Sequence, residues 1–207
     1  MKRFCITYIF LIVLSINIFA QFGICVGVNT SEQVRTFVQR PEDFSTDKLT
    51  GFQAGVVWQN KFGNSGFGTE IGAMFAQKGS YYSYNSASKD IDAHDELNYI
   101  DVPLNIRFTP PLHTPINIYG IAGMYLSYLL GGKSTNDTDN TSEKMTFQSA
   151  LDRIDVGAST GVGVQIFGKI QLGVTWNWGF MKTPDSTSDF VRNFKNKNLS
   201  VNLTYIF

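Results

Sequence analysis

The run Ile154-Asp155-Val156-Gly157-Ala158-Ser159-Thr160-Gly161-Val162-Gly163-Val164-Gln165-Ile166 decides the fold. Side chains of a β-strand point alternately to its two faces. Ile154, Val156, Ala158, Thr160, Val162, Val164 and Ile166 therefore share one face, and Asp155, Gly157, Ser159, Gly161, Gly163 and Gln165 share the other. A period of two residues is the signature of a strand between an apolar and a polar medium, and it does not fit a helix. Ile170 to Phe180 repeats the pattern, with Ile170, Leu172, Val174, Trp176, Trp178 and Phe180 against Gln171, Gly173, Thr175, Asn177 and Gly179. So does the final run, where Leu199, Val201, Leu203, Tyr205 and Phe207 alternate with Asn198, Ser200, Asn202 and Thr204.

Working towards the N-terminus, Phe52, Ala54, Val56 and Trp58 alternate with Gln53, Gly55, Val57 and Gln59. Ile100, Val102, Leu104, Ile106 and Phe108 alternate with Asp101, Pro103, Asn105 and Arg107. Phe22 to Asn29 and Phe67 to Gln77 complete the set. Ile116 to Leu130 is the exception: Tyr119, Ile121, Tyr125 and Leu129 compete with Ile118, Ala122, Met124, Leu126 and Tyr128 for the apolar face, a double pattern that a β-bulge would explain. Eight strands are expected, near 22–29, 50–59, 66–79, 97–108, 115–131, 151–166, 170–181 and 197–207.

The connections alternate in length. Thr30 to Leu49, Ser80 to Glu96, Gly132 to Ala150 and Lys182 to Asn196 are long and polar, whereas Lys61 to Ser65, Thr109 to Thr114 and Phe167 to Lys169 are short. An antiparallel up-and-down transmembrane β-barrel sorts its loops in this way, short at one end and long at the other. The apolar face then meets lipid, and aromatic residues at the membrane interfaces follow from it; Trp58, Trp176, Trp178, Phe180, Tyr205 and Phe207 fall towards strand ends. The competing arrangement is a soluble lipocalin-like barrel with the same faces reversed. Glycine and short polar side chains on the second face suit a narrow interior better than a solvated exterior.

The first twenty residues read as a secretory signal peptide. Lys2 and Arg3 precede an apolar run from Phe4 to Phe19, and Ala20 before Gln21 offers a cleavage point. The expected organisation is a signal over 1–20 and one barrel domain over 21–207. The whole chain has 17 basic and 17 acidic residues, so losing Lys2 and Arg3 leaves a slight acidic excess and no basic face for nucleic acid. Beyond the leader no stretch supplies the ~20 apolar residues that a spanning helix needs. Cys25 alone follows the cleavage point, a small strand residue without a base or a second thiol beside it.

Tyr99-Ile100-Asp101-Val102-Pro103-Leu104, then Tyr119-Gly120-Ile121-Ala122-Gly123 leading to Tyr128-Leu129-Leu130, then Asp155-Val156-Gly157 with Gly161-Val162-Gly163, and the ending Tyr205-Ile206-Phe207 together resemble the PorT-like outer-membrane β-barrel family of the Bacteroidetes. The resemblance spans roughly 21–207. It implies a single barrel in outer-membrane lipid, folded there by the barrel-assembly machinery, which in such proteins reads a terminal strand ending in an aromatic residue; Tyr205 and Phe207 match that end. The family's founding member is associated with protein secretion, while most relatives have no assigned activity and offer no ligand motif to map.

No catalytic, metal or cofactor constellation stands out. His94 and His113 fall in expected loops, the first among Asp92, Asp95 and Glu96, and an acidic loop cluster is ordinarily a solvated face. Gly161-Val162-Gly163 sits inside an alternating strand, where a dinucleotide loop would not. The informative charges are inward: Glu70, Asp101, Arg107 and Asp155, with Lys78. Buried charges are costly unless paired, so Arg107 is expected to pair with a carboxylate across the lumen. Eight strands leave an interior that side chains roughly fill. A polar plug is therefore expected over a narrow ion path. The resulting expectation is a non-enzymatic membrane anchor whose surface loops bind a partner, a surface or secretion-system protein. The alternative is a transport role, as a narrow pore or a component of a secretion apparatus.

Overall fold

A computed structural model describes residues 21–37, 43–86, 89–112, 114–145, 150–181, 183–184 and 191–207. The expected signal segment and His113 lie outside the described residues. The chain forms β1 (Gln21–Phe37), β2 (Ser45–Lys61), β3 (Phe67–Ser86), β4 (Lys89–Phe108), β5 (Ile116–Asn136), β6 (Thr141–Lys144), β7 (Ile154–Ile166), β8 (Ile170–Gly179), β9 (Thr183–Pro184) and β10 (Val191–Ile206), with a 3-10 turn at Ala150–Arg153 before β7. Each long strand pairs antiparallel with the next, and β1 pairs with β10 from Gly23↔Ile206 upward, so eight long strands close a ring. β6 pairs beside the top of β5, and β9 pairs with β10 above the end of β8. Closure removes the free sheet edges, which a bilayer would leave without hydrogen-bond partners.

The faces are inverted relative to a soluble protein. On β4, Leu104 and Ile106 are 59% and 61% exposed on the outside, while Asn105 and Arg107 between them are 3% and 4% exposed inside. The same holds around the ring, where Phe22, Ile24, Val26 and Val28 are exposed on β1 and Leu172, Val201 and Leu203 on β8 and β10. Asn29, Gln59, Asp155, Gln171, Asn198 and Ser200 are buried. An apolar exterior around a polar interior is stable only where lipid covers the outside.

Ile116 to Leu130 alternates without interruption: Ile116, Ile118, Met124, Leu126, Tyr128 and Leu130 face out, while Ile121, Tyr125 and Leu129 are buried inside. The double pattern arises because the lumen also takes apolar and aromatic side chains from β5. Glycines of the next strands make the space. A Cβ on Gly157 would run into the Tyr125 ring, and one on Gly163 or Gly173 into Tyr119. The β-bulge lies at the upper end of this stretch, where the register shifts between Asn98 and Tyr99 and Leu130 is left over; it leaves the alternation below it unchanged.

The long connections expected over 30–49, 80–96 and 132–150 are in large part strand. β1 runs to Phe37, β3 and β4 pair as far as Ser86↔Lys89, and β5 runs to Asn136. About 9–11 residues cross a bilayer, and β1 to β5 have 17 to 21. Their upper parts therefore stand above the apolar band. Polar residues on both faces there erase the alternation that marks a strand at membrane depth. β7 and β8, with 13 and 10 residues, are cut close to the bilayer, so the ring rises on one side as a wall.

The opposite rim is tight. Ile166 and Lys169 flank a two-residue turn in which Phe167 and Gly168 both have positive φ, 50° and 72°, and Lys169 N donates to Ile166 O at 3.0 Å.

Candidate functional site

The lumen is closed by layers of side chains. In the lowest layer, Arg107 of β4 and Glu70 of β3 come together because Gly68↔Arg107 and Glu70↔Asn105 are neighbouring register pairs on the inward face. Arg107 Nη1 lies 3.1 Å from Glu70 Oε2 and donates to Gln171 Oε1 at 3.3 Å. Gln59 Nε2 donates to Glu70 Oε2 at 2.8 Å, and Gln59 and Gln171 exchange amide hydrogen bonds at 3.0 Å. Since β2 and β8 are not neighbours, that exchange spans the lumen. The guanidinium carbon stands 3.7 Å from the centre of the Tyr119 ring, so a cation–π contact supports the ion pair.

Higher up, Lys78 Nζ meets Asp101 at 2.9 Å (Oδ1) and 2.7 Å (Oδ2). Ser127 Oγ donates to Asp101 Oδ1 at 2.5 Å, and the Tyr99 and Tyr125 rings flank the ammonium at 4.7 and 5.2 Å. Tyr125 OH donates to Asp155 Oδ2 at 3.3 Å, and Asn196 Nδ2 donates to the same oxygen at 3.1 Å. A cavity of about 80 Å³ separates the two layers, bordered by Cys25, Met74, Asp101, Asn105, Tyr119 and Tyr125 among others. It has room for a few waters. Leu97, Tyr99, Leu129, Met145 and Phe194 then form an apolar cluster across the bore. In the upper wall Arg35 and Asp95 form a third buried ion pair, with the guanidinium also donating to Gln33 Oε1 at 2.9 Å and standing 3.8 Å from the Tyr82 ring centre.

A closed ring of antiparallel strands with a polar, occluded lumen and an apolar exterior is an outer-membrane architecture, and the family comparison agrees. The family described as "Outer membrane protein beta-barrel domain" matches residues 15–184. The chain belongs to that family, whose members lie in the bacterial outer membrane. Among solved structures, this outer-membrane barrel is similar to OprG from Pseudomonas aeruginosa, with a TM-score of 0.54 and 12% identity over 91% of this chain and 96% of that one. It is also similar to a major outer membrane protein from Thermus thermophilus, with a TM-score of 0.51 and 12% identity over 91% and 99%. Ail of Yersinia pestis, the attachment invasion locus protein, aligns at 16% identity over 92% and 100% with a TM-score of 0.45. At such identities the likeness concerns the fold. No curated protein matches the sequence.

The barrel places the four inward charges at two heights. Glu70 and Arg107 share the lower layer; Asp101 and Asp155 lie in the upper one, linked through Tyr125 and Tyr99 rather than directly. Arg107 takes its carboxylate from the adjacent strand; the span across the lumen is made by the two glutamines. Lys78 is 1% exposed and holds Asp101. Trp58, Trp176, Trp178 and Phe180 lie on the outer surface, 39% to 55% exposed. At the lower rim Phe207 N donates to Phe22 O at 2.9 Å, its ring stacks on Phe22 at 5.9 Å, and Tyr205 meets it edge-on at 5.4 Å.

Sequence reasoning missed Arg35 with Asp95, and the closing roles of Gln59, Gln171, Tyr99 and Tyr125. The alternation of Ser31, Gln33 and Arg35 with Glu32 and Val34 was the available signal, but it carries no hydrophobic contrast. The acidic segment 90–96 lies on β4: Asp95 points inward to Arg35, while outward His94 donates from Nδ1 to Asp137 Oδ2 at 2.9 Å. Among the described residues no group of three His, Cys, Asp or Glu side chains is placed to hold a metal ion. Cys25 is buried against Val57, Met74 and Ile206 as a packing residue.

Proposed function

We propose that the protein is a non-enzymatic membrane anchor that presents the tall β-wall formed by the upper parts of β1 to β5 to a partner outside the cell. The observation that carries this reading is the contrast between a bore blocked at successive heights and strands that continue well past the apolar band. Residues at exposed ends of a rigid scaffold are where binding chemistry is usually placed. Replacing residues 83–92, the top of the β3–β4 hairpin, by an Asn-Gly turn shortens the wall at the paired positions Tyr82 and Ala93 and keeps Asp95 and Tyr82 on Arg35 and the lumen layers below. Cross-linking in the native membrane is expected to capture a surface or secretion-system protein with the intact chain and to lose it with the trimmed one. An unchanged set of cross-links would place binding on the barrel wall or in the lumen. Steady single-channel currents from the refolded protein in planar bilayers would overturn the closed-anchor reading in favour of a pore.

The motifs quoted above support a PorT-like assignment within the wider family. In the fold Tyr99, Asp101 and Asp155 of those motifs serve the upper lumen layer, which is support for a shared barrel type and none for a secretion role. The terminal Tyr205 and Phe207 are proposed as the element read by the barrel-assembly machinery; Phe207→Ala is expected to slow insertion in cells while leaving refolding in detergent intact.

A further inference from the structure

Where the apolar band ends, β3 carries outward Gln77 and β4 outward Asn98, and the first charges above them, Glu96 and Lys133, neutralise each other at 3.0 Å. β10 and its neighbours differ. Lys195 and Lys197 alternate with buried Phe194, Asn196 and Asn198, so both point outward, directly above outward Leu199 and Val201. Lys197 is the cross-strand partner of Glu32 on one side and of Trp178 on the other. Lys48 precedes Leu49, the partner of Ser31, and so emerges beside Glu32. Thr30, Glu32, Lys48, Trp176, Trp178 and Lys197 border a surface hollow of about 190 Å³.

Three features of this hollow point to a ligand. Among the described residues, Lys48, Lys195 and Lys197 have no carboxylate within ion-pair distance, in contrast to the lumen cations. In the hollow Glu32 supplies one negative charge against Lys48 and Lys197, and Lys195, the next outward residue up β10, adds a third positive charge above it, a surplus that suits a dianionic group. Alternate residues of a strand lie ~7 Å apart and paired strands ~5 Å apart, so Lys48 and Lys197 can meet one phosphate in the hollow and the long Lys195 side chain can reach down to it from above. Lysine binds phosphate as a point charge, and the two indole N–H groups are further donors at an interface where tryptophan is at home.

We propose that this hollow binds the phosphorylated headgroup of an outer-leaflet glycolipid. A lipid source is favoured over soluble phosphate because the hollow is bordered by outward side chains, and the outward apolar column of Leu199, Val201, Leu203 and Leu172 continues beneath it where acyl chains would lie. The assignment concerns the barrel wall and is independent of what the strand tops bind.

The test is native mass spectrometry of the full folded chain in a non-ionic detergent, titrated with diphosphoryl lipid A, with its dephosphorylated form, and with diphosphoryl lipid A in the presence of excess inorganic phosphate. The triple variant K48Q/K195Q/K197Q is compared with K61Q/K169Q, which removes exposed lysines at the opposite rim. Retained heat-modifiable gel mobility shows that each variant is folded. The expected result is a saturable adduct with diphosphoryl lipid A, weakened on the order of a hundredfold in the triple variant by the loss of three cations at the headgroup, retained in the control and undisturbed by inorganic phosphate. Equal binding of the dephosphorylated lipid, equal loss in the control, or displacement by inorganic phosphate would each overturn the proposal.

Discussion

Lys78→Met tests the closed lumen most directly. The methionine keeps most of the aliphatic stem and removes the ammonium, so packing against the Tyr99 and Tyr125 rings is largely preserved while Asp101 loses its cation. Breaking a buried pair by removing one partner costs about 3–5 kcal/mol, because the other charge stays buried without compensation. Asp101 retains the 2.5 Å hydrogen bond from Ser127 and borders the cavity of about 80 Å³, so water can approach it. The lower end, about 3 kcal/mol, is the expected loss. Removing both charges in Lys78→Met/Asp101→Leu leaves no charge uncompensated, only the buried Ser127 hydroxyl without its carboxylate, and is expected to return stability to within about 1–2 kcal/mol of the parent. Urea titration of the refolded protein in lipid vesicles, followed by heat-modifiable gel mobility, measures all three. A single-variant loss under about 1 kcal/mol, or a double variant no more stable than Lys78→Met, would refute the claim that the pair is sealed in the lumen.

Gly173→Ala places a methyl against the Tyr119 hydroxyl and is expected to cost about 1–3 kcal/mol by overpacking; Tyr119→Phe in the same chain should recover most of it in the same titration. Phe167→Asn suits the left-handed backbone of the β7–β8 turn, and a gain of about 1 kcal/mol is expected; a loss would mean that lipid contact by the exposed ring outweighs the turn. Leu104→Arg, at mid-height on the outer face, is expected to lose about 2–4 kcal/mol, whereas Val34→Arg, on the part of β1 above the band, should lose no more than about 1 kcal/mol; similar losses would place the top of β1 inside the bilayer.

The extent to which the amino-acid sequence revealed this molecule follows from where hydrophobic contrast exists. At membrane depth, lipid on one side and a polar bore on the other impose a two-residue period, and the runs at 154–166, 170–180 and 199–207 displayed it plainly. Above the bilayer that contrast vanishes, so Thr30 to Phe37 and Lys89 to Glu96 read as loops although they are strand. On β5 the contrast was blurred for another reason: Tyr119, Ile121 and Tyr125 fill the lumen in space left by glycines of β7 and β8, and Leu129 joins the apolar cluster above them, a complementarity that no single strand displays. Parity marked Glu70, Asp101, Arg107 and Asp155 as inward, yet the choice of partners depends on register. Glu70 and Arg107 are joined by adjacent pairing of β3 and β4, while Arg35 and Asp95 meet 60 positions apart, with no local signal linking them.

The arrangement of charge inside the barrel bears on what the interior can do. Ion pathways are lined by rings of one sign or by carbonyl oxygens that replace a hydration shell. Here Arg107 with Glu70, Lys78 with Asp101 and Arg35 with Asp95 form neutral pairs at three heights, so neither sign of ion finds a continuous attractive path. Asp155 is held instead by Tyr125 and Asn196. Opening the bore would require separating each pair at low dielectric, and the separate costs would accumulate along the axis because the layers share few partners. A lumen built in this way stabilises the ring against deformation. That rigidity is what a wall of extended strands needs if its upper edge is to hold a fixed shape for a partner, and it turns attention from the axis of the barrel to its rim and outer surface.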